Sequence, residues 1–345
     1  MTKAIEKLKS SFDLEKYKAK KNLVTVASYK EDAYLNFPKP VQDVLGVKGF
    51  PLGGVSILMG HSDTGKTSML LKAATEAQKL GMLPVFIITE LKWNWDHAKE
   101  LGFDFEEKEY VNEETGEVSK SISGNFIYAD SATPVKFKHQ KKEITAPLES
   151  IEKISSFIQS LIQEQADGEL PVDLVFLWDS VGSVPSELSM TSNTSNNEWD
   201  AGAMERSIVK GGVVRAINAS RKTDYPFINT LIAVNKIWLA KPSNPMGQPR
   251  MQTKGGKALL YASTCAIQLG NVSNSGTTKV NYVSKGKTTE AGKIVNFQLE
   301  KWHTNHDETG EGISKGKVIM VRGEDAFIEN TDKGIKAYKD SLKNK

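Results

Sequence analysis

The chain has 345 residues, 39% of them hydrophobic and 25% charged, a composition typical of one large globular domain with small appendages or of two domains. Its single cysteine, Cys265, excludes an internal disulfide and a cysteine-rich zinc site, and no uncharged apolar run approaches the length of a membrane span. The formal net charge of +3 is too small to establish a nucleic-acid partner by itself. A charged N-terminus without an apolar signal core indicates an intracellular, reducing compartment and no membrane partner.

Charged, lysine-rich sequence dominates the N-terminal segment. Residues 1–22 predict one exposed amphipathic helix, and residues 23–27 predict a short strand. Residues 28–40 are polar and end in two prolines, which favours a linker. A dense alternation of apolar strands and helical patterns begins near Val41.

The first motif of that alternation indicates a nucleotide site. Residues 60–67 read Gly-His-Ser-Asp-Thr-Gly-Lys-Thr and match the pattern G-x-x-x-x-G-K-[ST] in full. An apolar run at 55–59 predicts a buried strand before the motif, and 68–80 predicts a helix after it, a context that surrounds a polyphosphate with backbone N–H groups. The predicted contacts of ATP are Gly60, His61, Ser62, Asp63, Thr64, Gly65, Lys66, Thr67 and Ser68. Among them, Lys66 is expected to reach the β- and γ-phosphates and Thr67 to bind Mg²⁺.

Further strands and helices alternate along the rest of the chain. The predicted strands lie at 84–89, 125–128, 172–179, 230–234, 262–269, 293–301 and 316–321. The predicted helices lie at 148–164 and 202–221, with a surface hairpin at 104–124. This pattern predicts an α/β fold with a mostly parallel sheet covered by helices on both faces, its late strands pairing antiparallel. We expect flexible connections at 237–256 and 273–292, and either a helix or disorder at 333–345.

Three polar positions follow predicted strands, at the sheet edge where the phosphate motif lies. Asp179 ends the strand at 172–179 and is the expected second Mg²⁺ ligand, with a helix cap or turn residue as the alternative. Glu90 follows the strand at 84–89 and is the candidate general base, with a solvated surface glutamate as the alternative. Lys236 follows the strand at 230–234 and either touches the γ-phosphate or is an ordinary strand-end residue.

These residues, in this order, resemble the RecA-type recombinase family, which includes bacterial RecA and the phage UvsX proteins, over about residues 42–305. Residues 42–54 are similar to the family's approach to the phosphate motif, 85–90 to its strand with the catalytic glutamate, and 174–180 to its magnesium strand. The resemblance implies that Glu90 is catalytic, that Asn94 and His97 contact the adenine, and that the Asp179–Ser180 peptide bond is cis.

The resemblance also implies a domain organisation. An N-terminal oligomerisation arm and linker would occupy residues 1–40, a RecA-like P-loop NTPase core residues 41–305, and a short C-terminal segment residues 306–345.

Two DNA-binding loops are implied as well, the first at about 187–201 and the second at 237–254. The residues expected to contact DNA are Trp238, Lys241, Met246, Arg250, Lys254, Gly255, Gly256 and Lys257. Basic side chains among them would neutralise phosphates, and the tryptophan and methionine would wedge against bases.

Some positions depart from the family pattern. Lys236 stands where bacterial members have glutamine and UvsX has histidine, so it would sense the γ-phosphate by charge. Lys301 matches a basic residue that the family directs toward the γ-phosphate of the neighbouring subunit, and we include it in the catalytic set with Glu90, Lys66 and Lys236. His303 stands where a lysine or arginine is usual.

The expected protein is a cytoplasmic DNA-dependent ATPase of a bacterial cell, encoded by the bacterium or by a phage, that uses ATP and Mg²⁺. It would form a helical homo-oligomer on single-stranded DNA, with ATP at the subunit interface, and exchange strands with homologous duplex DNA. A ring-forming helicase or branch-migration ATPase of the same fold is one alternative. A recombination mediator that binds ATP but scarcely hydrolyses it is another.

Overall fold

The computed structural model describes residues 28–111, 118–192, 197–240, 250–253, 255–284, 286–303 and 314–343, with five further positions between 13 and 21. The strand predicted at 23–27 and most of the helix predicted at 1–22 lie outside the described residues, as does the turn of the hairpin predicted at 104–124.

The described chain begins with a small β-hairpin-like unit around one helix. Its elements are β1 (Tyr34–Asn36), α1 (Lys39–Leu45) and β2 (Gly49–Pro51). β1 pairs antiparallel with β2, and the rings of Phe37 and Phe50 meet edge to face with centroids 4.6 Å apart. Part of the segment expected to be a linker is therefore ordered, because the apolar side chains of Leu35 and Phe37 are buried.

The central part of the chain alternates strands and helices. Its elements are β3 (Val55–Gly60), α2 (Lys66–Lys79), β4 (Leu83–Ile88), α3 (Trp95–Glu100), β5 (Glu106–Val111), β6 (Val118–Ser123), β7 (Ile127–Asp130), β8 (Val135–His139), β9 (Lys142–Ala146), α4 (Ile151–Ala166), β10 (Leu174–Asp179), α5 (Glu187–Thr191), α6 (Asn197–Ala203), a π-helical turn (Met204–Val209), α7 (Val213–Ala219) and β11 (Asn229–Asn235).

The last part of the chain is mostly β-structure. Its elements are β12 (Ile237–Ala240), β13 (Arg250–Thr253), α8 (Ala258–Ala262), β14 (Cys265–Leu269), β15 (Thr278–Ser284), β16 (Lys287–Trp302), β17 (Lys315–Val321), β18 (Phe327–Glu329) and α9 (Asp332–Lys343).

Ten of these strands form one sheet in the order β18-β17-β16-β14-β3-β11-β10-β4-β7, with β15 added to β16. The six strands from β14 to β7 are mutually parallel, and β15 to β18 are antiparallel. The predicted fold class is thereby confirmed, including the antiparallel pairing of the late strands.

Helices cover both faces of the parallel part, which explains why its strands are continuous apolar runs. Along β4, Val85 and Ile87 enter one core while Phe86 and Ile88 enter the other. Helices α1 and α2 contribute to the core that contains Phe86, and α4 and α7 to the opposite one. No helix in the described ranges is long and apolar enough to cross a membrane.

The prediction of one continuous helix at 202–221 is wrong. The chain runs from α6 through a π-helical turn and restarts as α7 at Val213. Gly212, at the start of α7, has a φ of 116°, in the left-handed region that side-chain-bearing residues rarely adopt. The glycine pair at 211–212 is the sequence signal for this break.

The flexible connections predicted at 237–256 and 273–292 are also wrong where the structure describes them. β12 pairs antiparallel with β13, while 241–249 lie outside the described residues. β15 pairs with β16, and Val280 and Ala291 are buried against β17 and α9 in a third apolar cluster. The C-terminal residues form helix α9, which packs Ile335, Tyr338 and Leu342 on that cluster with helical spacing.

Candidate functional site

The phosphate motif forms the turn between β3 and α2. Gly60 is the last residue of β3 and Lys66 the first of α2, whose N-cap is Gly65 with a φ of 92°. A Cβ on Gly65 would lie 2.8 Å from the Met320 sulfur, and the positive φ is one that residues with a side chain rarely adopt, so both features favour glycine there. Thr64 Oγ1 donates to the His61 carbonyl at 2.9 Å and braces the turn from inside. The turn thus opens on the N-terminus of a 14-residue helix, which favours anions.

Lys66 carries a buried cation at this turn. Its side chain is 7% exposed, and its Nζ donates to the His61 carbonyl. Burial lowers the pKa of Lys66 to about 8, because desolvation outweighs the attraction of the Asp179 carboxylate. A bound anion would stabilise the charged ammonium form of Lys66, which burial disfavours. The site therefore suits a phosphate group next to this lysine.

Two oxygen-bearing side chains from distant segments meet next to Lys66. Thr67 Oγ1 donates to Asp179 Oδ2 at 2.7 Å. Burial raises the pKa of Asp179, which ends β10, and the hydrogen bond from Thr67 opposes that rise. A hydroxyl and a carboxylate are hard oxygen donors of the kind Mg²⁺ prefers, so these two residues fit a magnesium ion.

A hydrogen-bond network holds Glu90 at the same edge. Ser180 Oγ and Lys236 Nζ both donate to Glu90 Oε1, at 2.7 Å and 2.8 Å. Thr89 Oγ1 accepts from the Ser180 N–H at 3.0 Å and donates to the Ser180 carbonyl at 2.8 Å. The Asp179–Ser180 peptide bond is cis, as the resemblance implies. Burial by itself raises the pKa of Glu90, but the hydrogen bonds from Lys236 and Ser180 hold that pKa below its ordinary value.

Two adjoining cavities connect these groups. The smaller, about 210 Å³, is lined by Ser62, Asp63, Lys66, Thr67, Ile88, Glu90, Lys92, Trp93, Asp179, Val234 and Lys236. It brings together side chains at the ends of β3, β4, β10 and β11, because neighbouring parallel strands end at one edge.

The larger cavity, about 700 Å³, extends from the phosphate turn along α3 to β16 and β17. Asn94 lines it and caps α3 by accepting from the His97 N–H at 3.0 Å. His97 Nε2 lies 3.1 Å from Ser68 Oγ, and burial lowers the pKa of His97, which favours a neutral ring. This cavity has the position and size for the nucleoside end of a nucleotide whose phosphates occupy the turn.

Sequence reasoning gave no role to several residues of the site. Ser180 lines neither cavity but donates to Glu90; it directly follows Asp179, and that adjacency was the available signal. Lys293 of β16 and Arg322, which directly follows β17, line the larger cavity, and nothing local in the sequence distinguishes them from other surface cations.

Other predicted residues lie elsewhere in the protomer. Lys301 lines neither cavity; its Nζ donates to the carbonyls of Tyr261 and Leu260, at 2.6 Å and 3.3 Å. His61 Nε2 lies 2.8 Å from the Val272 carbonyl, which ties the phosphate turn to the chain beyond β14. His303 is exposed after the end of β16.

The residues expected to contact DNA are only partly described. Trp238 and Arg250 belong by their backbones to β12 and β13, and Lys241, Met246 and Lys254 lie outside the described residues. Gly255 and Gly256, with φ values of 73° and 72°, connect β13 to Lys257, which is exposed at the start of α8.

The segment expected to form the first DNA loop contains α5 and α6. Asp200 Oδ1 accepts from the Ser186 N–H at 2.8 Å and the Ser189 hydroxyl at 2.7 Å, which joins α6 to α5.

Comparisons with known proteins agree with this architecture. The family model described as the RecA N-terminal domain matches residues 13–135. Protein RecA of Streptococcus gordonii is 26% identical over 281 residues, which cover 80% of this chain and 60% of that protein. Protein RecA of Chloroherpeton thalassium is 34% identical over 83 residues, 24% of this chain and 23% of that protein. Protein RecA of Mycoplasma mobile is 22% identical over 343 residues, 96% of this chain and 88% of that protein. The chain spans less than two thirds of the length of the first two relatives.

Proposed function

We propose that this chain, which is similar to RecA proteins, is an ATP-dependent recombinase that forms filaments on single-stranded DNA and exchanges strands with homologous duplex DNA. One observation carries the proposal: Lys66, Thr67, Asp179, Glu90 and Lys236, from four strand ends, line one cavity. Residues 41–305 would form the ATPase core, 1–40 the oligomerisation arm and linker, and 306–345 the C-terminal segment.

ATP would bind with its phosphates at the turn of residues 60–68 and its base in the larger cavity, near Asn94 and His97. Lys66 would bind the β- and γ-phosphates, which raises its pKa back toward the ordinary value and strengthens the contact. Thr67 and Asp179 would hold Mg²⁺, which would neutralise part of the charge of the phosphates.

Glu90 would act as the general base for the attacking water. Its side chain is 21% exposed and lines the smaller cavity, and Ser180 donates to its carboxylate and holds it in place. Its lowered pKa keeps the group ionised at neutral pH, as a proton acceptor must be.

Lys236 would report the γ-phosphate to the DNA-binding segments. It pairs with Glu90 in the structure, and a third phosphate in the cavity would compete with Glu90 for its ammonium group. Lys236 directly precedes β12, the first strand of the hairpin that β12 and β13 form in the second DNA loop. If Lys236 exchanged Glu90 for the γ-phosphate, the movement of its side chain would act on the start of that hairpin. The two DNA segments would then contact the nucleic-acid backbone through Lys241, Arg250, Lys254 and Lys257, with base contacts from Trp238 and Met246.

Lys301 would complete the site of a neighbouring subunit in the filament. Its ammonium group is held by backbone carbonyls rather than by a carboxylate, so its charge is not neutralised by an acidic partner within the described residues. We further propose that this assembly works in the cytoplasm.

Electron microscopy with single-stranded DNA and a non-hydrolysable nucleotide, together with a strand-exchange assay, tests the proposal. We expect helical filaments and nucleotide-dependent strand exchange. Lys66→Ala should abolish nucleotide-dependent DNA binding, Glu90→Gln should keep binding and lose turnover, and Lys79→Ala, an exposed lysine of the same helix α2, should behave as the wild type. Closed rings would favour a helicase-like motor and small particles of fixed size a mediator, and normal ATP hydrolysis by Glu90→Gln would refute its role as base.

A further inference from the structure

The hairpin formed by β8 and β9 concentrates positive charge. Between Val135 and Ala146 it carries Lys136, Lys138, Lys141 and Lys142 against one acidic residue, Glu143. Four cations less one anion is +3, which equals the formal net charge of the whole 345-residue chain. We call residues 135–146 the basic hairpin.

Most of this charge is not neutralised within the protein. Lys136 Nζ pairs with Glu143 at 2.9 Å, but Lys138, Lys141 and Lys142 are exposed and form no ion pair within the part of the chain that the structure describes. The hairpin of β5 and β6 shows the contrast, because there Lys108 and Lys120 pair with Glu106 and Glu107. The basic hairpin therefore differs from an ordinary solvated hairpin of mixed charge.

The basic hairpin has a fixed shape. Phe137 is 2% exposed and lies opposite Ile144, and both pack in the core that α4 covers. Alternation along β8 places Lys136 and Lys138 on the face opposite Phe137. At the tip, Gln140 and Lys141 have φ values of 49° and 66°, the geometry of a two-residue turn whose twist matches the strands. Lys138 thus projects from the outer face of a rigid base, while Lys141 and Lys142 lie at its tip, where Lys142 is opposite His139. Binding orders only the lysine side chains.

The basic hairpin lies beside the segment proposed to bind DNA. β8 follows the carboxyl end of β7, at the sheet edge where the nucleotide cavity lies. His139 Nε2 lies 3.2 Å from Oε1 of Glu187, the first residue of α5, and His139 Nδ1 lies 2.8 Å from Ser156 Oγ. A nucleic acid that contacts α5 therefore runs within reach of the hairpin lysines.

We propose that the basic hairpin is a further nucleic-acid-binding surface, at which Lys138, Lys141 and Lys142 bind backbone phosphates of the strand or duplex held at α5. The proposal rests on the DNA-binding function proposed above and adds a third contact to the segments 187–201 and 237–254. Phosphate contacts of this kind carry no sequence information. The hairpin therefore increases the affinity for the nucleic acid and fixes its position on the protein, without selecting a base sequence.

The size of the effect follows from counterion release. Each neutralised phosphate contributes about 0.7 to the slope of log affinity against log salt for single strands, and about 0.9 for duplex DNA. Loss of three contacts should lower the slope by about 2 for a single strand and by about 2.7 for a duplex.

The test is fluorescence anisotropy of the full chain with a non-hydrolysable nucleotide and either a single-stranded or a duplex oligonucleotide, titrated with salt. The variant is Lys138→Gln/Lys141→Gln/Lys142→Gln, and the control Lys333→Gln/Lys336→Gln/Lys339→Gln makes the same charge change on α9, which contacts β18 at the opposite end of the sheet. An arginine triple at the hairpin positions keeps the charge and should keep the wild-type slope. Thermal unfolding checks that the variants remain folded.

We expect the slope to fall in the hairpin variant and to stay near the wild-type value in the α9 control. The oligonucleotide that loses affinity identifies whether a single strand or a duplex occupies the hairpin. Equal slopes in the hairpin variant and the α9 control would overturn the inference while leaving the proposed function intact. A wild-type protein that binds neither oligonucleotide would overturn the proposed function itself, and this inference with it.

Discussion

The ion pair between Lys236 and Glu90 predicts that replacing Lys236 weakens the preference for a triphosphate over a diphosphate. Lys236 Nζ lies 2.8 Å from Glu90 Oε1, and both residues line the cavity that contains Lys66 and Asp179. A third phosphate adds negative charge to this cavity, and Lys236 is a partly exposed cation that can exchange Glu90 for that phosphate. Lys236→Met keeps Lys66 and Lys92 at the cavity but removes the cation that pairs with Glu90.

The magnitude follows from the separation and the exposure of the groups. Two unit charges about 4 Å apart attract by about 4 kcal/mol at an effective dielectric constant near 20 and by about 1 kcal/mol in water. The Lys236 side chain is 43% exposed, so the interaction is screened, and giving up the pair with Glu90 costs about 0.2–1 kcal/mol. The net gain of about 1–3 kcal/mol corresponds to a triphosphate preference of about 5- to 150-fold.

Calorimetric titration of a non-hydrolysable triphosphate and of the diphosphate into the wild type and Lys236→Met measures this preference. The ratio of the two affinities should fall at least about fivefold in the variant, chiefly through weaker triphosphate binding. Lys210→Met, which removes an exposed lysine paired with Glu205 at 2.7 Å, is the matched control and should leave the ratio unchanged.

A second readout comes from Glu90. Since the hydrogen bond from Lys236 lowers the pKa of Glu90, its loss raises that pKa, and the acid limb of the turnover profile should move to higher pH. An unchanged affinity ratio in Lys236→Met would refute the exchange of partners.

Three further outcomes follow from the structure. Gly65→Ala places a Cβ 2.8 Å from the Met320 sulfur at a φ of 92°, so urea denaturation should show a loss of about 1–3 kcal/mol, and an unchanged midpoint would contradict the packing of the turn. Burial raises the pKa of Cys265 to about 12, so an alkylating reagent at pH 8.5 should label it only in denaturant, and rapid labelling of the folded protein would be inconsistent with its buried position. Arg221 Nη2 lies 2.8 Å from Asp32 Oδ1, with 17% and 8% of the side chains exposed, so Arg221→Met, which removes this charged hydrogen bond, should lower the free energy of unfolding by about 1–3 kcal/mol, and a neutral effect would contradict it.

Much of the fold was readable from the sequence because its signals are local. The phosphate turn is specified by eight consecutive residues. These residues form a phosphate-binding turn only between a strand and a helix, so the motif also predicts the two elements beside it. The strands β3, β4, β10 and β11 are continuous apolar runs, because both faces of each strand are covered by helices. A residue at the end of such a strand or just after it lies at the shared carboxyl edge, so the positions of Glu90, Asp179 and Lys236 could be predicted without knowledge of the strand order.

The partners of those residues were decided only by the tertiary structure. Strand order brings Ser180 and Lys236 onto one oxygen of Glu90, and no spacing along the chain encodes that contact. Polar composition made residues 273–292 resemble a flexible connection, yet β15 and the first half of β16 form a hairpin there. Each such outcome is a contact between segments far apart in sequence, and its free energy comes from burial and pairing that exist only after the sheet has assembled.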